Sequence, residues 1–192
     1  GNNGAGPGAT VGKILGIEYA MKSGLGFYAL QIGNLKVGAI VSVNAFGDIF
    51  DYESGKMIAG VLNKEKNGFG NSEEELIKIA ENKNLSFKIE ENNITTNTTI
   101  GAVITNAKFT KSQMGKIASM SHNGFARTIK PVHTTLDGDS IYAMSVGNVK
   151  ANLDAVGSIA AIVMGKAINS AIVNTKSAYG FKCYNDIKKY LF

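Results

Sequence analysis

Thr98 stands where the chain changes character. Residues 82–96 are rich in Asn, Thr, Lys and Glu, and Thr99-Ile100-Gly101-Ala102-Val103-Ile104-Thr105 after it is the β-branched and apolar pattern of a core strand. A threonine at the start of such a strand, directly after Asn97, is a candidate N-terminal nucleophile. Its hydroxyl is weak on its own. If the Asn97-Thr98 bond is cut, however, the new α-amine lies beside the oxygen and can serve as its base, with an ordinary pKa of about 8 that suits neutral solution. On local grounds the alternative is a plain strand start whose hydroxyls solvate a turn.

Other residues carry chemistry by type and spacing. Asn44 closes the apolar run Val37-Gly38-Ala39-Ile40-Val41-Ser42-Val43 and precedes the turn Ala45-Phe46-Gly47-Asp48, so its amide either donates to an oxyanion or simply turns the chain. Asp137 and Asp139 alternate around Gly138, and in extended backbone residues two apart face one side, so both carboxylates are expected to converge. A calcium site would need further oxygen ligands at regular spacing, and a surface turn is the plainer alternative. His122 falls in a predicted helix and His133 in a loop, with no Ser-His-Asp pattern around them. Lys13 ends the run Gly1-Asn2-Asn3-Gly4-Ala5-Gly6-Pro7-Gly8-Ala9-Thr10-Val11-Gly12-Lys13, which imitates a phosphate loop. Pro7 stands where that loop needs Gly and Ile14 where it needs Ser or Thr, and Val11 breaks the dinucleotide fingerprint.

The elements that must position these residues follow from periodicity. Residues 14–21, 25–32 and 37–44 are β-rich and separated by Lys-Ser-Gly and Gly-Asn turns, which predicts a three-stranded antiparallel meander with 37–44 buried on both faces. Residues 51–60 predict a hairpin around Glu53-Ser54-Gly55, and 63–70 a loop. Ser72 with Glu75 predicts a capping box for a helix to about residue 81. Residues 82–96 form a flexible lead-in to the strand 98–105. Thr110 caps a predicted helix to residue 129, a loop and a strand over 141–146 follow, and a long buried helix spans 148–173.

Composition bounds the class. The 192 residues are 44% hydrophobic and 18% charged, which fits one globular domain. The net charge of +5 is scattered, with no basic run interleaved with aromatics, so no nucleic-acid partner is expected. Cys183 is the only cysteine, which excludes an internal disulfide and fits a reducing, cytoplasmic location. No signal peptide opens the chain, and the most apolar run, residues 155–165, is shorter than a membrane span, so no membrane partner is expected.

The glycine-rich run, Val43-Asn44-Ala45-Phe46-Gly47-Asp48, Asn97-Thr98-Thr99-Ile100-Gly101, and Pro131-Val132-His133-Thr134 leading to Asp137-Gly138-Asp139 resemble, in that order, the L-aminopeptidase/D-esterase family. That family includes D-aminopeptidases, β-peptidyl aminopeptidases and nylon-oligomer endohydrolases. The resemblance implies an α+β fold, the αββα sandwich of the self-cleaving aminopeptidase and ornithine acetyltransferase type. It implies an N-terminal nucleophile hydrolase, made as one precursor, that releases amino acids from peptides, amides or esters without cofactor or metal and forms homo-oligomers, often tetramers. It places the self-cut at Asn97-Thr98, giving residues 1–97 and 98–192, with Thr98 as nucleophile. Asn44 takes the oxyanion position, Asp137 and Asp139 the acidic pair near the amine, and Lys13 that of a site lysine in nylon-hydrolase relatives. The front part of a family member has no counterpart in these residues, which makes that part an expected partner. A truncated non-catalytic fragment and an ornithine-acetyltransferase-like acyltransferase are the competing readings, and the glycine-rich loop and Asp-Gly-Asp segment favour the aminopeptidase.

Overall fold

The glycine-rich start is not all loop. In the computed structural model, which describes residues 1–81 and 97–188, β1 (Thr10–Val11) pairs antiparallel with β2 (Met21–Lys22). The strand expected over 14–21 does not form. Gly12 and Gly16 adopt φ of 72° and 102°, left-handed conformations that interrupt an extended chain, and Ile17–Tyr19 closes a 3-10 turn between them and β2. Beyond it, β3 (Leu25–Ile32) and β4 (Leu35–Ser42) make the expected hairpin, with β4 starting two residues early.

The second hairpin, β5 (Asp48–Phe50) and β6 (Met57–Ala59), turns through 51–55 as the sequence predicts, with Asp51 Oδ1 accepting from Ser54 N–H at 2.8 Å. Helix α1 (Ser72–Glu81) also appears, but not on a Ser72 capping box. Asn71 Oδ1 accepts from Glu73 and Glu74 N–H at 3.0 and 3.2 Å, which leaves the Ser72 hydroxyl to bond the buried Asp48. The lead-in 82–96 lies outside the described residues.

Strand β7 (Ile100–Ala107) then pairs antiparallel with β4 on the side away from β3, while the place beside β3 expected for 14–21 holds no strand of the described residues. Helix α2 (Lys111–Thr128) begins at Thr110 with a full capping box to Gln113. It buries Met114, Ile117, Ser121 and Phe125. Short β8 (Ile129–Lys130) pairs with β5, and β9 (Ser140–Val149) runs parallel to β7. Helix α3 (Leu153–Val173) starts later than predicted because β9 continues to Val149 and Asn152 is the cap. A short α4 (Tyr184–Lys188) follows.

The principal sheet therefore has the order β3-β4-β7-β9, with a smaller sheet β6-β5-β8 beside it. Helices α2 and α3 pack together and cover one face of the principal sheet. By length and apolarity α3 qualifies to cross a membrane, yet Val156, Ala160, Val163, Met164, Ile168 and Ile172 are all buried in this core. Each such side chain contributes about 2 kcal/mol of burial. The expectation that 37–44 is buried on both faces is not met. Val37, Ala39 and Val41 point into the core, whereas Ile40 is 40% exposed on the opposite face, which no helix of the described residues covers. Phe27, Ile100, Ile104, Tyr142 and Val146 stand on that outer face as well, Phe27 at 73% exposure and Val146 at 66%.

Candidate active site

The site forms where two segments run side by side at the start of β7 and β9. Asn97 bridges Asp137 in parallel fashion, Thr99 N–H donates to Asp139 Oδ1 at 2.8 Å, and Ser140 N–H donates to the Thr99 carbonyl at 3.0 Å. The peptide unit joining Asn97 to Thr98 is held at both ends. Its carbonyl accepts from Gly138 N–H at 2.8 Å and its N–H donates to the Asn44 main-chain carbonyl at 2.9 Å. Thr98 Oγ1 lies against Gly138, where an added Cβ would come within 2.7 Å of the hydroxyl. A side chain at 138 would have to push the Thr98 hydroxyl aside. Among the described residues, Asn97 Oδ1 and Thr99 Oγ1 are buried without a hydrogen-bond partner, an uncommon cost concentrated on either side of Thr98.

Asn44 and Lys13 close the other side. Two residues past the end of β4, Asn44 continues the outer-face period, and its Oδ1 accepts from Lys13 Nζ at 2.8 Å and from Thr10 N–H at 3.1 Å. With Oδ1 so used, the amide nitrogen is the end able to donate. Lys13 Nζ also donates to the Asn44 carbonyl at 3.2 Å, the oxygen that receives Thr98 N–H. Burial pushes the Lys13 ammonium down to about 8, opposed by the charge of Asp137. Lys13, the Asn44 amide and Thr98 are thus brought together.

The two aspartates do not converge on one point. Asp137 Oδ2 accepts from Thr134 N–H and Oγ1 at 3.1 and 2.7 Å, and its Oδ1 accepts from Phe46 N–H at 3.3 Å, which ties the 131–137 loop to the turn after Asn44. Asp139 instead holds Thr99 N–H and lies 3.1 Å from His133 Nδ1. The turn at Thr134–Asp137 takes the Asp137 carboxylate to Thr134 and Phe46 while Asp139 faces Thr99 and His133, and the two meet only through charge. Burial, and then the neighbouring Asp137, push the Asp139 carboxyl up, against the Thr99 hydrogen bond and His133.

Sequence spacing missed two contributors, the Gly138 amide and His133. A backbone N–H leaves no mark in a residue pattern.

A cavity of about 470 Å³ opens on the outer face of the sheet beside Thr98. Ala5, Ala9, Leu25, Ile40 and Ala102 give it apolar walls, and Ser42, Asn44 and Thr98 give it a polar end.

The comparisons with known proteins bear on this geometry. The model of peptidase family S58 matches residues 1–185. The chain belongs to that family. An uncharacterized aminopeptidase of Mycobacterium tuberculosis (strain ATCC 25618 / H37Rv) is 30% identical over 185 residues, spanning 88% of this chain and 53% of that protein. A 6-aminohexanoate-oligomer endohydrolase of Agromyces sp. (strain KY5R) is 27% identical over 186 residues, spanning 89% of this chain and 50% of the endohydrolase. The chain thus spans about half the length of the curated relatives it matches. Among solved structures, the L-aminopeptidase D-Ala-esterase/amidase of Ochrobactrum anthropi, described as a variant of the Ntn hydrolase fold, superposes with a TM-score of 0.59 at 15% identity over 100% of this chain and 52% of that one. A Burkholderia sp. β-aminopeptidase gives a TM-score of 0.54 at 16% identity, over 97% of this chain and 51% of that one. The S58 chain described here therefore shares the α+β architecture of Ntn-hydrolase aminopeptidases.

Proposed function

We propose that this S58 chain is the core of a self-processing amide and ester hydrolase with Thr98 as its nucleophile. The observation that carries the reading is the grip on the Asn97-Thr98 peptide unit, with its carbonyl on Gly138 N–H and its N–H on the Asn44 carbonyl. In self-cleavage Thr98 Oγ1 attacks the Asn97 carbonyl carbon through a five-membered ring, and the Gly138 amide donates to the oxygen as it becomes an oxyanion. The C–N bond breaks, the nitrogen gains a proton, and the resulting ester is hydrolysed by water to an Asn97 carboxylate and a free Thr98 amine. Each unpaired buried acceptor beside the bond costs roughly 1–3 kcal/mol before the cut, strain that the cut can relieve.

In turnover the Thr98 amine accepts the hydroxyl proton, Oγ1 takes the acyl group of a small peptide, amino-acid amide or ester, and the amine returns the proton to the leaving group. Asn44 donates its amide to the oxyanion, held in place by Lys13 and Thr10, and Asp137 and Asp139 provide negative charge near the Thr98 ammonium. The apolar cavity walls suit an aliphatic acyl portion.

The open outer face of the sheet supports a partner for this core, namely the remaining portion of a chain as long as its relatives, laid across Phe27, Ile40, Ile104 and Tyr142 to make the second sheet of an αββα sandwich and roof the cavity. An exposed apolar face of this extent marks an interface. Homo-oligomers of that completed unit are the expected assembly, in a reducing cytoplasmic setting that keeps buried Cys183 a thiol.

Thr98→Ala, expressed from the complete reading frame, tests the assignment by intact mass and by hydrolysis of aminoacyl p-nitroanilides. The parent yields a piece beginning Thr98-Thr99-Ile100, and the variant stays whole and inactive at near-parent stability. A variant still cut before residue 98 and still active removes Thr98 from the mechanism.

A further inference from the structure

Behind Asp139 lies a chain of groups that hydrolysis by Thr98 does not require. His133 Nδ1 stands 3.1 Å from Asp139 Oδ2, and His133 Nε2 stands 3.2 Å from His122 Nδ1 on α2. The rings are fixed further by aromatic contacts, with His122 edge-on to Phe125 at 5.3 Å and His133 stacked on Phe125 at 6.0 Å. His133 holds φ at 55°, in the left-handed region that only a few per cent of non-glycine residues adopt, His, Asn and Asp more often than others. Such a conformation is retained where the surroundings over-determine it, and here it turns the imidazole toward Asp139.

We propose that His133, oriented by His122, is a positioning residue for Asp139, holding its carboxylate charged and turned to Thr99 N–H so that residues 97–99 stay in register beside 137–139 during self-cleavage. The inference rests on the Thr98 reading. Its logic is that of a histidine braced by a second group. A neutral His133 donates from Nδ1 to the carboxylate only if Nε2 accepts, and His122 Nδ1 is the donor placed to make it accept. One proton occupies the contact between the rings, so the pair resists a second positive charge, and burial and His133 together push His122 down.

The charged groups facing Asp139 are Asp137 on the same loop and His133, with His122 behind it on α2 and Lys13 across the site facing Asp137. Asp139 is already pushed up by burial and by Asp137, and His133 opposes that rise. Removing the imidazole therefore moves Asp139 further up, and the acid side of the self-cleavage profile moves to higher pH.

The test measures self-cleavage rates from pH 5 to 9 in the parent, His133→Ala and His133→Asn, all from the complete reading frame, with Thr98→Ala as control and thermal melts alongside. Asn tolerates a left-handed φ, and its Nδ2 can donate where Nδ1 does. His133→Ala is expected to cleave roughly 10-fold more slowly at pH 7.5, with the acid midpoint raised by about one pH unit. His133→Asn recovers most of the rate. The inference is overturned if His133→Ala keeps the parent rate and midpoint, or if it lowers only the melting temperature while the folded fraction cleaves as the parent does. It is overturned too if Asn fails to rescue a well-folded protein. A parent that stays whole, or a Thr98→Ala variant that is cut, instead refutes the Thr98 reading and takes this inference with it.

Discussion

Asn44 carries two roles in one side chain. Its Oδ1 holds Thr10 N–H and Lys13 Nζ, while its main-chain carbonyl holds Thr98 N–H. The residue pins β1 and also lines the cavity, so a structural tie and the proposed oxyanion donation do not exclude each other. Asn44→Ala is expected to lower turnover by roughly 10²-fold through the lost donor. It also leaves the Thr10 amide and the Lys13 ammonium without that acceptor, at a stability cost of about 1–2 kcal/mol. Aminoacyl p-nitroanilide kinetics per folded molecule, with melts in parallel, separate the two effects, and unchanged turnover in a destabilised protein would sink the oxyanion role. Residue type and spacing left Thr98 and Asn44 each with two readings, and only the family resemblance grouped them with Lys13; the structure shows the three meeting through the Asn44 side chain and carbonyl. The aspartates were only half legible. Alternation fixed their spacing, but the contacts of Asp137 with Thr134 and Phe46 depend on a loop path that periodicity does not encode.

At the scale of elements, the helices and the hairpins were readable from caps, stripes and turn residues, whereas strand partnership was not. Residues 14–21 have strand composition but are interrupted by the left-handed Gly16, and the far side of β4 is taken by β7 from a distance along the chain that local patterning cannot see. Helix α1 shows the same limit. Its start was located correctly, yet Ser72 serves Asp48 instead of the helix, and it is a long-range carboxylate that docks α1 on β5. Asp48 is fully buried and accepts from Val61 N–H at 2.8 Å, Ser72 N–H at 2.7 Å and Ser72 Oγ at 2.8 Å. Asp48→Ala strands these donors, so we expect a loss of roughly 3 kcal/mol, read as a melting point lower by about 10 °C. Burial pushes the Asp48 carboxyl up to about 6 against its three donors. The folded state thus holds this proton more tightly than the unfolded chain does, and the parent gives up stability here as pH rises from about 4 through 6. Asp48→Ala should lose that slope, and a variant as stable as the parent with the same slope would show that Asp48 does not dock the helix.

The whole molecule is a sheet whose middle pair spans the proposed cut. Residues 1–97 contribute β3 and β4, residues 98–192 contribute β7, β9 and α3, and β4 pairs β7 from Val37 opposite Thr105 to Ser42 opposite Ile100. Helix α3 crosses the seam, packing on both β3 and β4. The apolar composition of 37–44 reads as burial on both faces, but the described residues cover one, and a second layer over Ile40 and its neighbours would reconcile sequence with structure. Because the cut removes a single peptide bond while the seam keeps its ladder and the buried faces of Val37, Ala39, Val41 and Val103, the pieces should stay together. The three valines alone contribute several kcal/mol, at roughly 1.5–3 each. Native mass spectrometry of the cut protein should therefore give one species containing both pieces, at the pair or a multiple of it, and denaturing conditions should resolve them. Independent native elution of the two pieces would mean that β4 and β7 are not partners in the mature protein, and the strand order from which the site at Thr98 is built would fall with them.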